Sequence, residues 1–298
     1  MEMEWWNENG DGKTSDYFEF EQKKMQTLHR KITDKRVFFQ LILRKGSYHG
    51  NKITDKEELH MVQTVFQRYE KKYLLSEEQF AGLMDGFDQY MKEDWIGTYT
   101  ISNLYLDTPD YRLIRHSIEK PSYKEKVRLR AYGEVNETSA VFAEIKKKTG
   151  GIVYKRRAEM TMAEAGRYAR YRRYPDRDSQ ILRELRYVTE FYGLGAMAFL
   201  AYDRTPWHGK GDSDFRVTFD RNIRCRDQAL ELCLGDWGEP LLEPGQVLME
   251  VKIPGAMPLW MSRRLSELRV YPVSFSKYGT YYKRLYQEGR VKGGVCCA

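Results

Sequence analysis

The stretch YKEKVRLRAYGEVNETSAVFAEIKKKTGGIVYKRR, Tyr123 to Arg157, decides how this chain is read. Side chains alternate sides along a strand, so Lys126, Arg128 and Arg130 share one face of the first run while Val127, Leu129 and Ala131 share the other. The next run repeats the arrangement, with Glu144, Lys146 and Lys148 on one face and Ala143, Ile145 and Lys147 on the other. Lys155 and Arg157 follow beyond a Gly150-Gly151 turn. In any single strand a solvated sheet face would give the same alternation. Recurrence on three neighbouring strands, with carboxylates among the cations, points instead to a hydrophilic interior that binds a polyanion and its metal.

The surrounding chain suits that reading. Its 298 residues can bury one large core or two modest ones, and a 41% hydrophobic, 14% aromatic composition describes a folded protein. Lys+Arg 50 against Asp+Glu 43 gives a net charge of +7, which favours acidic partners. No apolar run approaches the ~20 residues of a membrane span. The amino terminus MEMEWWNENGDGK lacks the basic-then-apolar order of a signal peptide, so a cytoplasmic location is expected. Cys225, Cys233, Cys296 and Cys297 have no metal-ligand spacing and read as reduced thiols. The five histidines are dispersed and receive no catalytic or metal role.

Three segments are expected: residues 1–64 as an N-terminal extension, residues 65–290 as the functional domain, and residues 291–298 as a tail. Within the extension only VFFQLIL, Val37 to Leu43, reads as a strand or short buried segment. Lys56-Glu57-Glu58 can be encoded as a bacterial ribosome-binding sequence ahead of Met61. Met61 is therefore expected to be the native start, with residues 1–60 as translated leader; the alternative is a genuine amphipathic extension. From Val65 to Tyr73 a strand places Arg68, Glu70 and Lys72 on one face. Ser76 with Gln79 forms a capping box for a helix running to about Lys92. Thr98 to Asp107 reads as a strand and Tyr111 to Ile118 as a short helix. Beyond the three basic strands, Thr161 with Glu164 caps a helix that Pro175 interrupts, and Asp178 to Tyr192 forms another. Strands resume at Met197–Arg204, Asp214–Asp220 and Val247–Ile253, and helices close the chain at Pro258–Leu268 and Ser274–Gln287. About eight strands is near the number that closes into a small lined barrel. The expected fold is α+β: an eight-stranded antiparallel β-barrel tunnel with a polar, basic interior and flanking helices. Arg167, Arg170, Arg172, Arg173 and Arg177 form a dense cationic run, read as a solvated helix face with an outer phosphate-binding patch as the alternative.

Inward candidates accumulate strand by strand: Glu70 and Lys72, Arg128 and Arg130, Glu144 and Lys146, Lys155, Arg204, Arg216 with Asp220, and Glu250 with Lys252. Burying so many charges is costly unless they pair or stay hydrated, so they are expected to line a wet space. Cations outnumber carboxylates, and a confined positive surplus calls for an anion of several charges. Arginine gives that anion forked contacts where lysine acts as a point charge. Glutamates among phosphate-binding cations suit Mg²⁺ or Mn²⁺ held by one or two carboxylates plus substrate oxygens.

These residues resemble the polyphosphate polymerase (vacuolar transporter chaperone, VTC) domain of the triphosphate tunnel metalloenzyme superfamily. The resemblance runs from about Val65 to Leu285. It is carried by YEKKY (Tyr69 to Tyr73), YLDT (Tyr105 to Thr108), KVRLR (Lys126 to Arg130), EIKKK followed by VYKRR, DRTPW, FRVTFD, LMEVKIP and SFSKY (Ser274 to Tyr278). It implies an eight-stranded tunnel in which Lys72, Arg128, Arg130, Lys146, Lys155, Arg204, Arg216 and Lys277 contact the phosphates. Lys126, Lys148, Lys252 and Ser276 would add to substrate binding. Glu250 would be the metal ligand for Mn²⁺ or Mg²⁺, with Glu144 and Glu70 as further candidates. The implied activity transfers the γ-phosphoryl group of ATP to a growing polyphosphate chain. A tripolyphosphatase or nucleoside triphosphatase and a non-catalytic polyphosphate-binding module are the alternatives.

The superfamily's hydrolases begin with E-x-E-x-K, and here Arg68 stands at the first position, which weakens the hydrolase alternative. Eukaryotic polymerases of this type carry a phosphate-sensing domain and membrane spans, and neither is read in this sequence. Coupling to translocation would therefore need a separate membrane partner. The expected ligands are ATP and inorganic polyphosphate or triphosphate. Nucleic acid is not expected, since no aromatic stacking platform or recognition motif accompanies the basic runs.

Overall fold

Strand alternation is realised in a computed structural model, which describes residues 69–150 and 152–291. The readings for residues 1–64, for Val65 to Arg68 and for the tail past Val291 lie outside the described residues, as does the proposed start at Met61. The strands are β1 (Tyr69–Leu75), β2 (Met91–Glu93), β3 (Tyr99–Asp107), β4 (Tyr123–Tyr132), β5 (Ala140–Thr149), β6 (Ile152–Thr161), β7 (Gly195–Gly209), β8 (Arg216–Arg226), β9 (Glu239–Pro240) and β10 (Val247–Ile253). The α-helices are α1 (Glu77–Met84), α2 (Arg112–Ile118), α3 (Met162–Tyr171), α4 (Gln180–Tyr192), α5 (Leu259–Glu267) and α6 (Lys277–Gln287). None of the described helices is long and apolar enough to cross a membrane.

Both capping boxes form, at Ser76 with Gln79 and at Thr161 with Glu164. The first helix is shorter than its apolar spacing suggested. It stops at Met84, Gly86 adopts φ +71°, and the chain passes through one 3-10 turn into β2. A left-handed residue ends a helix at little cost when it is glycine. Phe87 and Met91 are still buried, but from a turn and a strand.

The main sheet is antiparallel throughout, in the order β1-β10-β8-β7-β3-β4-β5-β6, with β2 added to β7 and β9 to β8. The expected closed barrel is not present: among the described residues no ladder joins β6 to β1. The free side of β1 is instead met by the segment leading to α6, where Pro272 bridges to Tyr73 and Val273 N donates to Lys72 O at 2.7 Å. Proline lacks an N–H and suits such an edge position.

One face of the sheet is apolar. Val127, Leu129, Val141, Ala143 and Ile145 pack with Tyr168, Leu182, Leu185 and Val188 of α3 and α4. Val217, Phe219, Met249 and Val251 pack with Leu83 of α1 and with Met261 and Leu265 of α5. Fully burying such side chains stabilises the fold by roughly 1.5–3 kcal/mol each, which fixes strand register, because a one-residue slip would send the cations into this layer. The opposite face carries the charges, and of the described helices α2 and α6 lie on it, packing Ile114, Tyr278, Tyr281, Tyr282 and Leu285 against Tyr105, Leu200 and Leu248.

Candidate active site

Two motifs that looked independent in the sequence are halves of one contact. Tyr105 of YLDT stacks on Tyr278 of SFSKY, with ring centroids 4.5 Å apart and planes 21° apart. The Tyr278 hydroxyl donates to Asp107 Oδ2 at 3.0 Å. Asp107 also accepts from Thr108 N, Leu113 N and Ile114 N, which fixes the start of α2. Ser276 caps α6 by accepting from Gly279 N at 3.2 Å. The beginning of α6 is thereby pinned over the charged face, and Lys277, its first residue, points into it.

A first cluster forms around Lys277. Its Nζ donates to Asp220 Oδ2 at 2.6 Å and Glu250 Oε1 at 3.2 Å, and lies 4.4 Å from the centre of the Tyr202 ring. Arg204 grips Asp220 with Nε at 2.6 Å and Nη2 at 2.7 Å, and Nη2 also reaches Glu250 Oε2 at 3.2 Å. Lys72 Nζ lies 3.4 Å from Glu250 Oε1 and 3.5 Å from Glu70 Oε1, and donates to Phe275 O at 3.2 Å. Burial alone would raise the Glu250 pKa, but Lys277, Lys72 and Arg204 outweigh it and hold the carboxyl well below its usual range. Burial likewise opposes the charge on Lys277, and Asp220 with Glu250 overcomes it.

A second cluster centres on Glu144, which is only 2% exposed. Arg128 donates to its Oε2 from Nε at 2.8 Å and approaches with Nη2 at 2.7 Å, while Lys155 Nζ stands 2.7 Å from Oε1. Arg128, Arg130 and Lys155 overcome burial and hold the carboxyl at about 2. Arg130 donates from Nε to Asn103 Oδ1 at 2.9 Å and from Nη2 to the Tyr202 hydroxyl at 3.4 Å. Tyr202 therefore touches both clusters. Burial would raise its pKa, yet Arg204, Arg130 and Lys277 bring it below the ordinary value.

The third group has cations and no carboxylates. Lys126 pairs in register with Lys146, Lys124 with Lys148, and Lys146 with Lys155 across β4, β5 and β6. Among the described residues no carboxylate lies within ion-pair distance of Lys124, Lys126, Lys146 or Lys148. Lys126 Nζ donates to Ser276 Oγ at 3.0 Å. Burial first, then the charges of Lys146, Lys72, Lys124 and Arg128, bring its pKa down to about 7. A further row aligns Glu70, Lys252 and Arg216 across β1, β10 and β8, with Arg216 exposed and donating to Ser213 O at 3.2 Å.

The expected residues thus share a face but not a role. Lys72 and Lys277, expected against phosphate, direct their protons at carboxylates, a carbonyl and a ring. Arg128 holds Glu144 and reaches the Tyr105 hydroxyl at 3.2 Å. Lys126, Lys146, Lys148, Lys252 and Arg216 meet no carboxylate within ion-pair distance among the described residues, which leaves them most open to a ligand. For a metal, no group of three or more His, Cys, Asp or Glu among the described residues could close around an ion. Glu70 and Glu250 nevertheless converge on Lys72, and an ion carried by phosphate oxygens needs only one or two carboxylates. These two fit that mode. Glu144 stands apart from them, capped by Arg128 and Lys155.

In the outer arginine run, Arg172 donates to Gly193 O at 2.7 Å and Leu194 O at 2.9 Å at the end of α4, Arg177 pairs with Glu164 at 2.6 Å, and Arg170 pairs with Glu231. Those three are paired within the chain and are neither freely solvated nor free cations of an outer patch. A search for charge along the strands passed over Tyr202, Asn103 and Tyr105. The alternation Tyr99, Ile101, Asn103, Tyr105 on β3, continued by the register of Asn103 with Arg130 and Tyr105 with Arg128, was the signal that could have found the last two.

Two solved structures are similar to this chain at low identity. One is a Bacillus halodurans protein crystallised as an adenylate cyclase candidate: 15% identity, 70% of this chain and 92% of that chain covered, TM-score 0.42. The other is a Pyrococcus horikoshii protein: 12% identity, 72% and 99% covered, TM-score 0.37. Both are too distant to speak to chemistry. No curated protein matches. The family described as VTC domain matches residues 67–286, nearly the whole of the folded unit and its charged face. The chain belongs to the VTC domain family.

Proposed function

We propose that this protein is a metal-dependent polyphosphate polymerase, moving the γ-phosphoryl group of ATP onto a growing polyphosphate chain along its charged face. The observation that carries the reading is the row Lys124, Lys126, Lys146 and Lys148. Four ammonium groups in register with no carboxylate between them repel one another, and a chain of phosphates relieves that repulsion. Phosphoryl transfer needs positioning and charge neutralisation more than covalent help. In this proposal the lysine row and Lys155 hold the polyphosphate, and Arg216 with Lys252 holds the nucleotide phosphates. Arg130 and Arg204 direct their remaining donors at the group in transit. Glu250 and Glu70 would hold Mn²⁺ or Mg²⁺, which when bound neutralises charge on the transferring phosphoryl oxygens.

Transfer is favoured over hydrolysis by the state of the carboxylates. Activating water needs a base able to accept a proton near neutral pH. Neighbouring cations hold Glu144 at about 2 and Glu250 well below its usual range, which moves both away from the range in which such a base works. The end of a polyphosphate chain is already an anion and needs no deprotonation. Incubation with ATP and Mn²⁺ or Mg²⁺ tests the proposal: chains growing on a gel are expected. Phosphate release without chains would establish the triphosphatase alternative, and binding without turnover the non-catalytic one.

A further inference from the structure

Glu250 is the carboxylate proposed above to meet a metal, yet neither of its oxygens is open. Oε1 faces Lys277 Nζ at 3.2 Å and Lys72 Nζ at 3.4 Å, and Oε2 faces Arg204 Nη2 at 3.2 Å. Lys277 Nζ is also 2.6 Å from Asp220 Oδ2. One ammonium therefore lies between two buried carboxylates, where a small cation would otherwise be held. It has little freedom to leave. Tyr278, next in sequence, is stacked on Tyr105 and bonded to Asp107, so displacing the ammonium far means displacing the start of α6. A divalent ion arriving alone from solvent would meet Lys72, Arg204 and Lys277 together in a confined space where their charge is weakly screened.

We infer that Lys277 is a tethered cation filling the position between Asp220 and Glu250, so that the protein without substrate excludes divalent metal and admits it only on the oxygens of a polyanion. The inference rests on the polyanion reading of the charged face. A bound triphosphate does two things that an ion alone cannot. Its oxygens compete for Lys72 and Arg204, which loosens their hold on Glu250, and its own negative charge supplies the further ligands and the charge that the ion needs. The order of binding then follows from charge: polyanion and metal together, or polyanion first.

Equilibrium dialysis of the full chain against Mn²⁺, with and without tripolyphosphate, tests this, with calorimetry of tripolyphosphate alone beside it. The expected result is no Mn²⁺ retained by the protein alone and about one equivalent retained when tripolyphosphate is present, consistent with an ion held by few carboxylates plus phosphate oxygens. Stoichiometric Mn²⁺ on the substrate-free wild-type protein would overturn the inference while leaving the polyanion reading intact. Failure of tripolyphosphate to bind at all would remove that reading, and the inference with it. Lys277→Met bares Asp220 Oδ2 and Glu250 Oε1 towards each other, and the folded variant is expected to take up Mn²⁺ without polyanion at least about tenfold more tightly than wild type, as two facing carboxylates allow. Lys277→Arg keeps the charge and is expected to exclude the ion. A folded Lys277→Met protein that excludes Mn²⁺ as well as wild type does would overturn the inference; should that variant not fold, the wild-type dialysis decides it.

Discussion

On one face of one sheet, the strands β1, β10, β8 and β7 carry a charge-balanced cluster, and β4 with β5 carry a row of lysines that nothing balances. Around Asp220 and Glu250, the cations Lys72, Arg204 and Lys277 each meet a carboxylate within 3.5 Å. Along Lys124, Lys126, Lys146 and Lys148 none does. Both regions show the same alternation in sequence, so alternation places a charge on a face without telling what the charge does. Its partner across the sheet decides that. A balanced cluster stores its electrostatics internally and holds the fold, while an unbalanced row lowers its energy only when a ligand arrives.

Breaking the balanced side is expected to have the largest effect. Asp220 is fully buried and engages Arg204 and Lys277 at once. Asp220→Ala leaves two buried cations under-compensated and should destabilise the protein by about 3–5 kcal/mol, read as a shift in the denaturant midpoint. A loss below about 1 kcal/mol, the scale of an exposed pair, would mean that the cluster is solvated and that the contrast between the two regions is not real.

The pH dependence sharpens the comparison between paired and unpaired charge, because stability rises with pH for both kinds of group but in separate windows, one where a favourable charge forms and one where an unfavourable charge is lost. Glu144 is held at about 2, below the ordinary 4.5. It therefore contributes stability that is fully present above 4.5 and is lost as pH falls through 2. Lys126 is held down at about 7, below the ordinary 10.5. Its charge costs folding stability in full below 7, and the cost is relieved as pH rises from there towards 10.5, since the unfolded chain then binds more protons than the folded one. Lys146, Lys72, Lys124 and Arg128 with the Ser276 hydroxyl surround this group, and among the described residues no carboxylate pairs with it to reverse the sign. Unfolding of wild type and Lys126→Met across a pH series should show the variant's stability advantage shrinking as pH rises, while wild-type polyphosphate affinity weakens through the same window. An advantage that grows with pH would refute the assignment.

The smallest effect is expected outside both regions. Arg173 lies in the outer arginine run, whose neighbours Arg170, Arg172 and Arg177 are committed to the fold. Arg173→Glu should change tripolyphosphate binding by less than about twofold at physiological salt, and affect long chains only slightly more, because exposed charges are screened within about 8 Å. A tenfold loss would restore the outer phosphate-binding patch.

How much of this was legible before the structure differs from region to region. β4, β5, β6 and β10 could be read closely, because alternation there is uninterrupted and bounded by turns. β7 and β8 run longer than their sequence suggested. The expected end at Arg204 is where the pairing of β7 with β3 stops; Pro206 falls between that ladder and the one with β2, which starts at Trp207. The open sheet could not be read from a strand count, since closure depends on what occupies the edge of β1, and Pro272 with Val273 take that place. In the site, charges could be nominated by face, but their partners depend on contacts between distant segments. Lys277 meets Asp220 and Glu250 from a helix start that the stacking of Tyr105 on Tyr278 helps to pin, and neither tyrosine bears a charge.

The central claim is that the unbalanced row binds the polyanion, and polyphosphate calorimetry on two charge-matched double variants tests it most directly. Measured below pH 7, where Lys126 is charged, Lys126→Met with Lys146→Met removes two positive charges from the row. Arg156→Met with Arg183→Met removes two from the far side of the molecule, where they pair with Glu184 and Asp178. Charge-assisted contacts are worth roughly 1.5–3 kcal/mol each, so the first pair should lose about a hundredfold in affinity or more. The second should lose less than about threefold, the scale of a screened surface charge. Equal losses in the two variants would contradict the account, since binding would then follow net charge and not the row.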